Sequence, residues 1–170
     1  MFVSHKSNVV LQIQETEWLC RMLTKGMDTP EYWAWLESVT TVTGTPPDEV
    51  KTVDYSGEDY EIHEVDVDVV SFNQSGHIVS DLEGTHYHLS WDGSSVSADD
   101  DALATYQTAE KWKDVRSQRD ALLSDTDWVV VKAKETGGNV SSAWKKYRQD
   151  LRDVPTQSDP DKITWPTKPS

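Results

Sequence analysis

Histidine and carboxylate side chains are the groups in this sequence that could bind a metal ion or transfer a proton. His86 and His88 alternate along a predicted strand, which would place both imidazoles on one face. His63 and His77 fall on neighbouring predicted strands. A divalent ion needs at least a third ligand in a suitable geometry, which the spacing does not supply. His86 and His88 are therefore weak metal candidates, and we expect no metal and no cofactor.

The carboxylates do not predict acid–base catalysis. Asp66 and Asp68 lie on a predicted strand, and Asp99–Asp101 lie at the N-terminus of a predicted helix, where the helix dipole favours acidic residues. Glycoside hydrolysis requires two carboxylates on opposite sides of a cleft, and the acid run lacks the glycine and final glutamate of a calcium loop. Cys20 has no catalytic signature around it. We expect a protein that is not an enzyme.

The first part of the chain predicts short helices and strands. Residues 15–25 space their apolar side chains like a helix, and a second short helix is predicted to begin at 28–31, where a capping residue precedes a proline. Residues 60–71 alternate apolar and acidic side chains, which predicts a strand with one solvent-exposed face. Strands at 77–82 and 85–91 would complete a small antiparallel β meander.

The last third of the chain predicts helices. A long helix is expected from Asp99 to Leu123, and a second from Ser141 to Asp153, with apolar residues at steps of three and four. Prolines keep residues 163–169 from being a helix, so this Trp-containing tail should be extended and dock on its own helical pair or on a partner. The predicted fold class is α+β: an acidic unit with short helices and a meander, then a long helix and a C-terminal helical pair with an extended tail.

Charge divides the chain in the same way. The sequence has 30 acidic and 16 basic residues, a net charge of −14, and residues 1–104 hold 20 of the acids but only 4 of the bases. This change in charge near residue 104 and the Gly/Ser-rich stretch near residue 94 together predict two parts of the chain. They are an acidic α+β domain of unknown family at 1–96 and a helical module at 97–170. The net negative charge excludes binding to nucleic acid or to an anionic membrane through a basic surface. No signal peptide or membrane span is expected.

Tryptophan is over-represented, with 8 residues against 2 phenylalanines. Indoles pack small clusters well, and they are also enriched at protein interfaces. The candidates for a partner surface in the acidic part are Trp18, Trp33, Trp35 and Trp91.

Three blocks in the C-terminal part carry a family resemblance. The first reads R-x-x-R-D-A-L-L-S-D-T-D-W from Arg116, the second W-x-x-Y-R-Q-D-L-R from Trp144, and the third I-T-W-P-T-K-P from Ile163. In this order, over about residues 116–169, they resemble the C-terminal domain of bacteriophage tail (fibre) assembly chaperones. The motif residues are Arg116, Arg119, Leu122, Trp128, Trp144, Tyr147, Arg148, Leu151, Arg152, Trp165 and Pro166. One departure from the family pattern is the longer segment between the first two blocks, which carries Gly137-Gly138.

The motif residues also make physical sense by themselves. Their apolar members can form one small aromatic core between two helices, with the tail laid across it. Arg148 and Arg152 lie one turn apart and can pair with Asp125, Asp127 or Asp153.

The resemblance implies assembly and not catalysis. The expected partners are phage tail, tail-fibre or baseplate proteins, with self-association left open. We expect a tail or tail-fibre assembly factor that is retained in the virion as a structural adaptor. The alternative is a transient cytoplasmic chaperone for tail-fibre folding, absent from the mature particle, and a remote one is a tail-associated hydrolase. The expected location is the host cytoplasm during assembly and the virion tail afterwards.

Overall fold

The structure is a computed structural model that describes residues 1–26 and 29–169. Helices and antiparallel strands are both present, so the α+β prediction is confirmed. The chain divides into two compact units, Met1–Leu103 and Ala104–Ser170. The domain boundary at 96/97 stays a prediction; the compact units meet a few residues further on, within a helix.

A five-stranded antiparallel sheet is the centre of the first unit. The strands of this unit are β1 Phe2–Lys6, β2 Val9–Gln14, β3 Thr40–Thr43, β4 Val50–Val53, β5 Glu61–Glu64, β6 Ile78–Asp81, β7 Gly84–Tyr87, β8 Leu89–Trp91 and β9 Val96–Ala98. The sheet has the order β5-β1-β2-β8-β9, while β3–β4 and β6–β7 form separate hairpins. The buried apolar core on this sheet consists of Val3, Val10, Ile13, Val67, Leu89 and Trp91.

The predicted strand over residues 60–71 is wrong in its second half. Strand β5 ends at Glu64, and helix α3 occupies Val69–Gln74. Asp68 begins this helix, because its carboxylate accepts a hydrogen bond from the backbone N–H of Ser71 at 3.0 Å. The predicted meander is also rearranged: β5 pairs with β1 at one end of the sheet, and β6 and β7 form a separate two-stranded hairpin.

Two short helices precede the β3–β4 hairpin, α1 at Glu17–Thr24 and α2 at Pro30–Val39. Thr29 caps α2 by accepting a hydrogen bond from the N–H of Tyr32 at 3.1 Å. Asp28, which belonged to the predicted helix start, lies outside the described residues. The hairpin requires glycine at Gly44, whose φ is +92° and where an added Cβ would lie 2.5 Å from a backbone oxygen.

The second unit is helical. Helix α4 spans Asp100–Ser124 and begins in the first unit; α5 spans Asp127–Glu135, α6 spans Ser142–Asp153, and a 3₁₀ turn covers Val154–Thr156. The predicted long helix and C-terminal helical pair are confirmed. Of the described helices, none combines the length and apolar composition that crossing a membrane requires.

Candidate partner-binding surfaces

Arg148 joins helix α6 to the end of helix α4 within the second unit. Its Nη1 donates to the carbonyl of Leu123 at 2.8 Å and to the hydroxyl of Thr126 at 2.6 Å. Its Nη2 donates to a carboxylate oxygen of Asp127 at 2.6 Å. The predicted pairing of Arg148 with Asp127 is therefore confirmed. The last carbonyls of a helix have no partner within the helix, and here Arg148 and Thr126 donate to two of them, those of Leu122 and Leu123.

An aromatic ladder lies beside this arginine. Trp144 meets Trp128 edge to face at a ring distance of 6.2 Å, and it meets Tyr147 in the same manner at 5.9 Å. Tyr147 is buried and Trp144 is half-buried, but Trp128 is 54% exposed. The ladder thus runs from the core of the unit to its surface, and the predicted aromatic core includes Trp128 only at its edge.

The other motif residues have different surroundings. Leu151 is completely buried and Leu122 is half-buried. Arg152 is exposed and donates from Nη1 to the carbonyl of Arg148 at 3.4 Å, not to a carboxylate. Arg119 lies 2.6 Å from a carboxylate oxygen of its neighbour Asp120. Arg116 is exposed.

The C-terminal tail contacts its own unit. Trp165 and Pro166 are half-buried, and Lys168 forms an ion pair with Asp125 at 2.6 Å. A second ion pair, 2.7 Å long, joins Lys111 of helix α4 to Asp161. Of the two predicted placements of the tail, these contacts support docking on its own helices.

In the first unit, two of the four candidate tryptophans share an exposed apolar groove. Trp18 of α1 is 56% exposed and Trp33 of α2 is 47% exposed. The groove has a volume of about 570 Å³. Its aromatic and aliphatic lining residues are Trp18, Trp33, Leu36, Val42, Val53 and Tyr55. The groove could receive apolar side chains of another protein.

The other two candidate tryptophans are less accessible. Trp35 is half-buried; the ammonium of Lys25 lies 3.9 Å from its ring centre, and Tyr32 packs against it. Trp91 is only 5% exposed and belongs to the sheet core, so it does not present a surface to a partner. The physical reason is that β8 lies inside the sheet between β2 and β9, where an indole on the core face is covered.

The weak metal candidates His86 and His88 do not lie on one strand, contrary to the prediction. Strand β7 ends at Tyr87, so His88 lies in the connection to β8. Burial lowers the pKa of His88, and the neighbouring imidazoles of His86 and His77 act in the same direction. Within residues 1–26 and 29–169, the group whose ligand atoms lie close enough to hold an ion is His5, Glu61 and His63. Sequence reasoning missed both His5 and Glu61, because strand pairing is what brings β1 and β5 together.

Cys20 is a packing residue. It is completely buried, and its thiol donates to the carbonyl of Phe2 with an S–O distance of 3.5 Å. Burial raises the pKa of this thiol, which disfavours the nucleophilic thiolate.

The second unit is thus a small helical module held by the contacts of Arg148, by an aromatic ladder and by a clamped tail. Residues 112–170 match the family model described as phage tail assembly chaperone protein, which confirms the C-terminal resemblance. This match supports a role in phage tail assembly. No curated protein and no solved structure matched the chain.

Proposed function

We propose that this protein is a non-enzymatic assembly chaperone that binds a phage tail, tail-fibre or baseplate protein while the tail is built. The observation that carries the proposal is the family match over residues 112–170. The proposed location is the host cytoplasm during assembly. The absence of catalysis is part of the proposal, and it agrees with the family description.

The internal contacts of the motif residues indicate where a partner would bind. Arg148, Tyr147 and Leu151 are occupied by contacts within the second unit. The exposed aromatic side chains are therefore the better candidates for the interface: Trp128 in the second unit, and Trp18 with Trp33 in the first. Hot spots of protein interfaces are rich in tryptophan.

The acidic character of the first unit indicates what kind of segment its groove would bind. The groove of the first unit is lined mainly by apolar side chains, with Glu37 and Lys51 also present, while residues 1–104 carry 20 acidic and 4 basic side chains. A segment with apolar side chains flanked by lysine or arginine complements both properties, and electrostatic attraction would accelerate its association. Aggregation-prone segments of an unassembled tail protein can have this character, and covering them is what an assembly chaperone would do.

Co-expression with each tail, tail-fibre and baseplate protein of the same phage, followed by pull-down, tests this function. We expect one of them to be captured by the wild-type chain and lost with the double variant Trp18→Ala/Trp33→Ala. The matched control is Leu82→Ala, which removes an exposed apolar side chain of the same unit outside the groove. If the double variant captured the partner as well as the wild type does, the groove would not be the binding site. If the wild type captured no tail protein, the proposed function would be contradicted.

The second candidate function is a structural adaptor that stays in the virion. It is favoured by the size of the first unit, which lies outside the family match and forms a compact body with its own surface groove. Mass spectrometry of purified virions separates the two fates. Stoichiometric peptides of this chain would establish the adaptor and refute the transient chaperone, whereas their absence would do the reverse.

A further inference from the structure

Strand pairing brings two histidines and a glutamate together at one end of the main sheet. His5 of β1 lies directly opposite Glu61 of β5, and His63 lies two residues further along β5. Because side chains alternate between faces along a strand, all three project from the same face. Their potential ligand atoms lie within 4.8 Å of one another.

His5 has a buried nitrogen without a hydrogen-bond partner. The residue is 4% exposed, and its Nε2 receives no hydrogen bond from any described residue. Its Nδ1 lies 3.0 Å from the carbonyl oxygen of Ser7. A carbonyl can only accept, so Nδ1 carries the proton and Nε2 presents a lone pair. Metal-binding histidines are commonly held in this way, with the second ring nitrogen donating to a backbone carbonyl.

The surroundings hold the imidazole of His5 in place and leave the other two side chains more room to move. Trp91 stacks on His5 at a ring distance of 4.7 Å and on His63 at 5.0 Å. The pairing of β1 with β2 is irregular beside this position, because the register passes from Ser4–Gln12 to His5–Val10 and skips Leu11 of β2. Glu61 and His63 have side chains that are 73% and 42% exposed, so they remain free to adjust.

We propose that His5, Glu61 and His63 bind a divalent transition-metal ion, with Zn²⁺ as the best match. Two imidazoles and one carboxylate are typical zinc ligands, whereas Ca²⁺ and Mg²⁺ prefer oxygen ligands throughout. Ligand bonds of about 2.0–2.2 Å require the three ligand atoms to approach one another. Rotation of the exposed Glu61 and His63 side chains toward the fixed Nε2 of His5 achieves this. The remaining position, at the open side, is left to water.

Since His5 lies on β1 and Glu61 and His63 lie on β5, the ion would link these two strands. These strands are distant in sequence, and β5 is an edge strand whose other side has no strand beside it in the described sheet. Because the unfolded chain does not bring the three ligands together, the ion would bind the folded chain and not the unfolded one, and it would therefore stabilise the first unit. No tail partner is needed for this effect, so the inference stands or falls independently of the proposed function.

Calorimetric titration of the chelator-treated full chain with ZnCl₂ tests the site, together with thermal melting with and without the metal. We expect one ion per chain and a higher melting temperature in its presence. Loss of a residue that only orients a metal ligand costs about 10–100-fold in affinity, so loss of a ligand should cost at least about tenfold. The test variants are His63→Ala and Glu61→Gln, both at exposed positions that should leave folding intact.

His86→Ala is the matched control, because it removes a histidine of the same unit outside the cluster, and it should bind zinc like the wild type. Replacing Zn²⁺ with Co²⁺ provides an independent measurement. We expect a visible d–d absorption band with the intensity typical of tetrahedral Co²⁺, and this band should be absent in His63→Ala. Two results would each overturn the proposal: no saturable one-to-one binding by the wild type, or unchanged affinity in both test variants with normal circular dichroism.

Discussion

Arg148 donates a hydrogen bond to the hydroxyl of Thr126 over 2.6 Å, and Thr126 has no exposed surface. The Thr126 hydroxyl in turn donates to the carbonyl of Leu123 at 2.9 Å, which Arg148 also contacts directly. A side chain of α6 thereby completes the hydrogen bonding at the end of α4. This relationship explains the motif arginine as a structural residue that fixes the geometry of the module.

Removing this arginine should destabilise the second unit. Arg148→Ala leaves the buried Thr126 hydroxyl without its donor and removes one of the donors to the Leu123 carbonyl, which costs about 1–3 kcal/mol of unfolding free energy. Arg148→Lys should recover only part of it, since an ammonium cannot reproduce the fork of a guanidinium. Chemical denaturation measures the effect. Arg116→Ala, at an exposed motif arginine, is the control and should change stability by less than about 0.5 kcal/mol. Equal stability of Arg148→Ala and wild type would refute the structural role.

The two tryptophans of the aromatic ladder should differ in their effect on stability. Trp144→Ala should cost about 2–3 kcal/mol, less than the ~3–5 kcal/mol of a completely buried large aromatic residue, because Trp144 is half-buried. Trp128→Ala should cost under about 1 kcal/mol, as the indole is 54% exposed. Thermal or urea unfolding measures both, and the reverse order would contradict the ladder.

The groove tryptophans should matter for binding more than for folding. Trp18→Ala and Trp33→Ala remove indoles that are about half exposed, so each should change the free energy of unfolding by less than about 1 kcal/mol. Circular dichroism melts of the single and double variants provide the measurement. A large loss of stability would mean that the groove is part of the core, and the pull-down comparison would then have to use the milder Trp→Phe variants.

Asp92 should titrate near pH 2. Backbone N–H groups of Ser95 and Ser94 and their hydroxyls donate to its carboxylate, and they lower its pKa to about 2. Because this pKa is lower in the folded than in the unfolded chain, the resulting stabilisation is present above about pH 4. It is lost as the pH falls toward 2. Carboxyl ¹³C NMR measures the midpoint.

Ser95→Ala supplies the check on this titration, because it removes one hydroxyl donor and keeps both backbone donors. The midpoint of Asp92 should rise in this variant but remain below the ordinary aspartate value. A wild-type midpoint near pH 4 would show that the turn does not hold the carboxylate in solution.

Local patterns predicted helices α1, α2, α4 and α6 but not α3 or α5, and they failed where a segment depends on distant residues. The long helix and α6 follow from apolar spacing and from capping residues such as Ser141, whose hydroxyl accepts from the N–H of Trp144. Residues 65–69 alternate like a strand, yet Val67 is buried in the core and Asp68 caps a helix. Period-two alternation indicates which side chains avoid water, but whether the segment gains a strand neighbour is decided by the rest of the chain.

By itself, the sequence determined the α+β class, the acidic first part and the family resemblance of the C-terminal module, because composition, helix periodicity and motif order are local properties. Only the tertiary structure decided that Trp91 is buried while Trp18 and Trp33 line a groove, and that His5 meets Glu61 and His63. Those outcomes depend on the pairing of β1 with β5 and the placement of β8 inside the sheet. Such contacts join residues far apart in the chain, and it is the cooperative burial of the whole core that selects them.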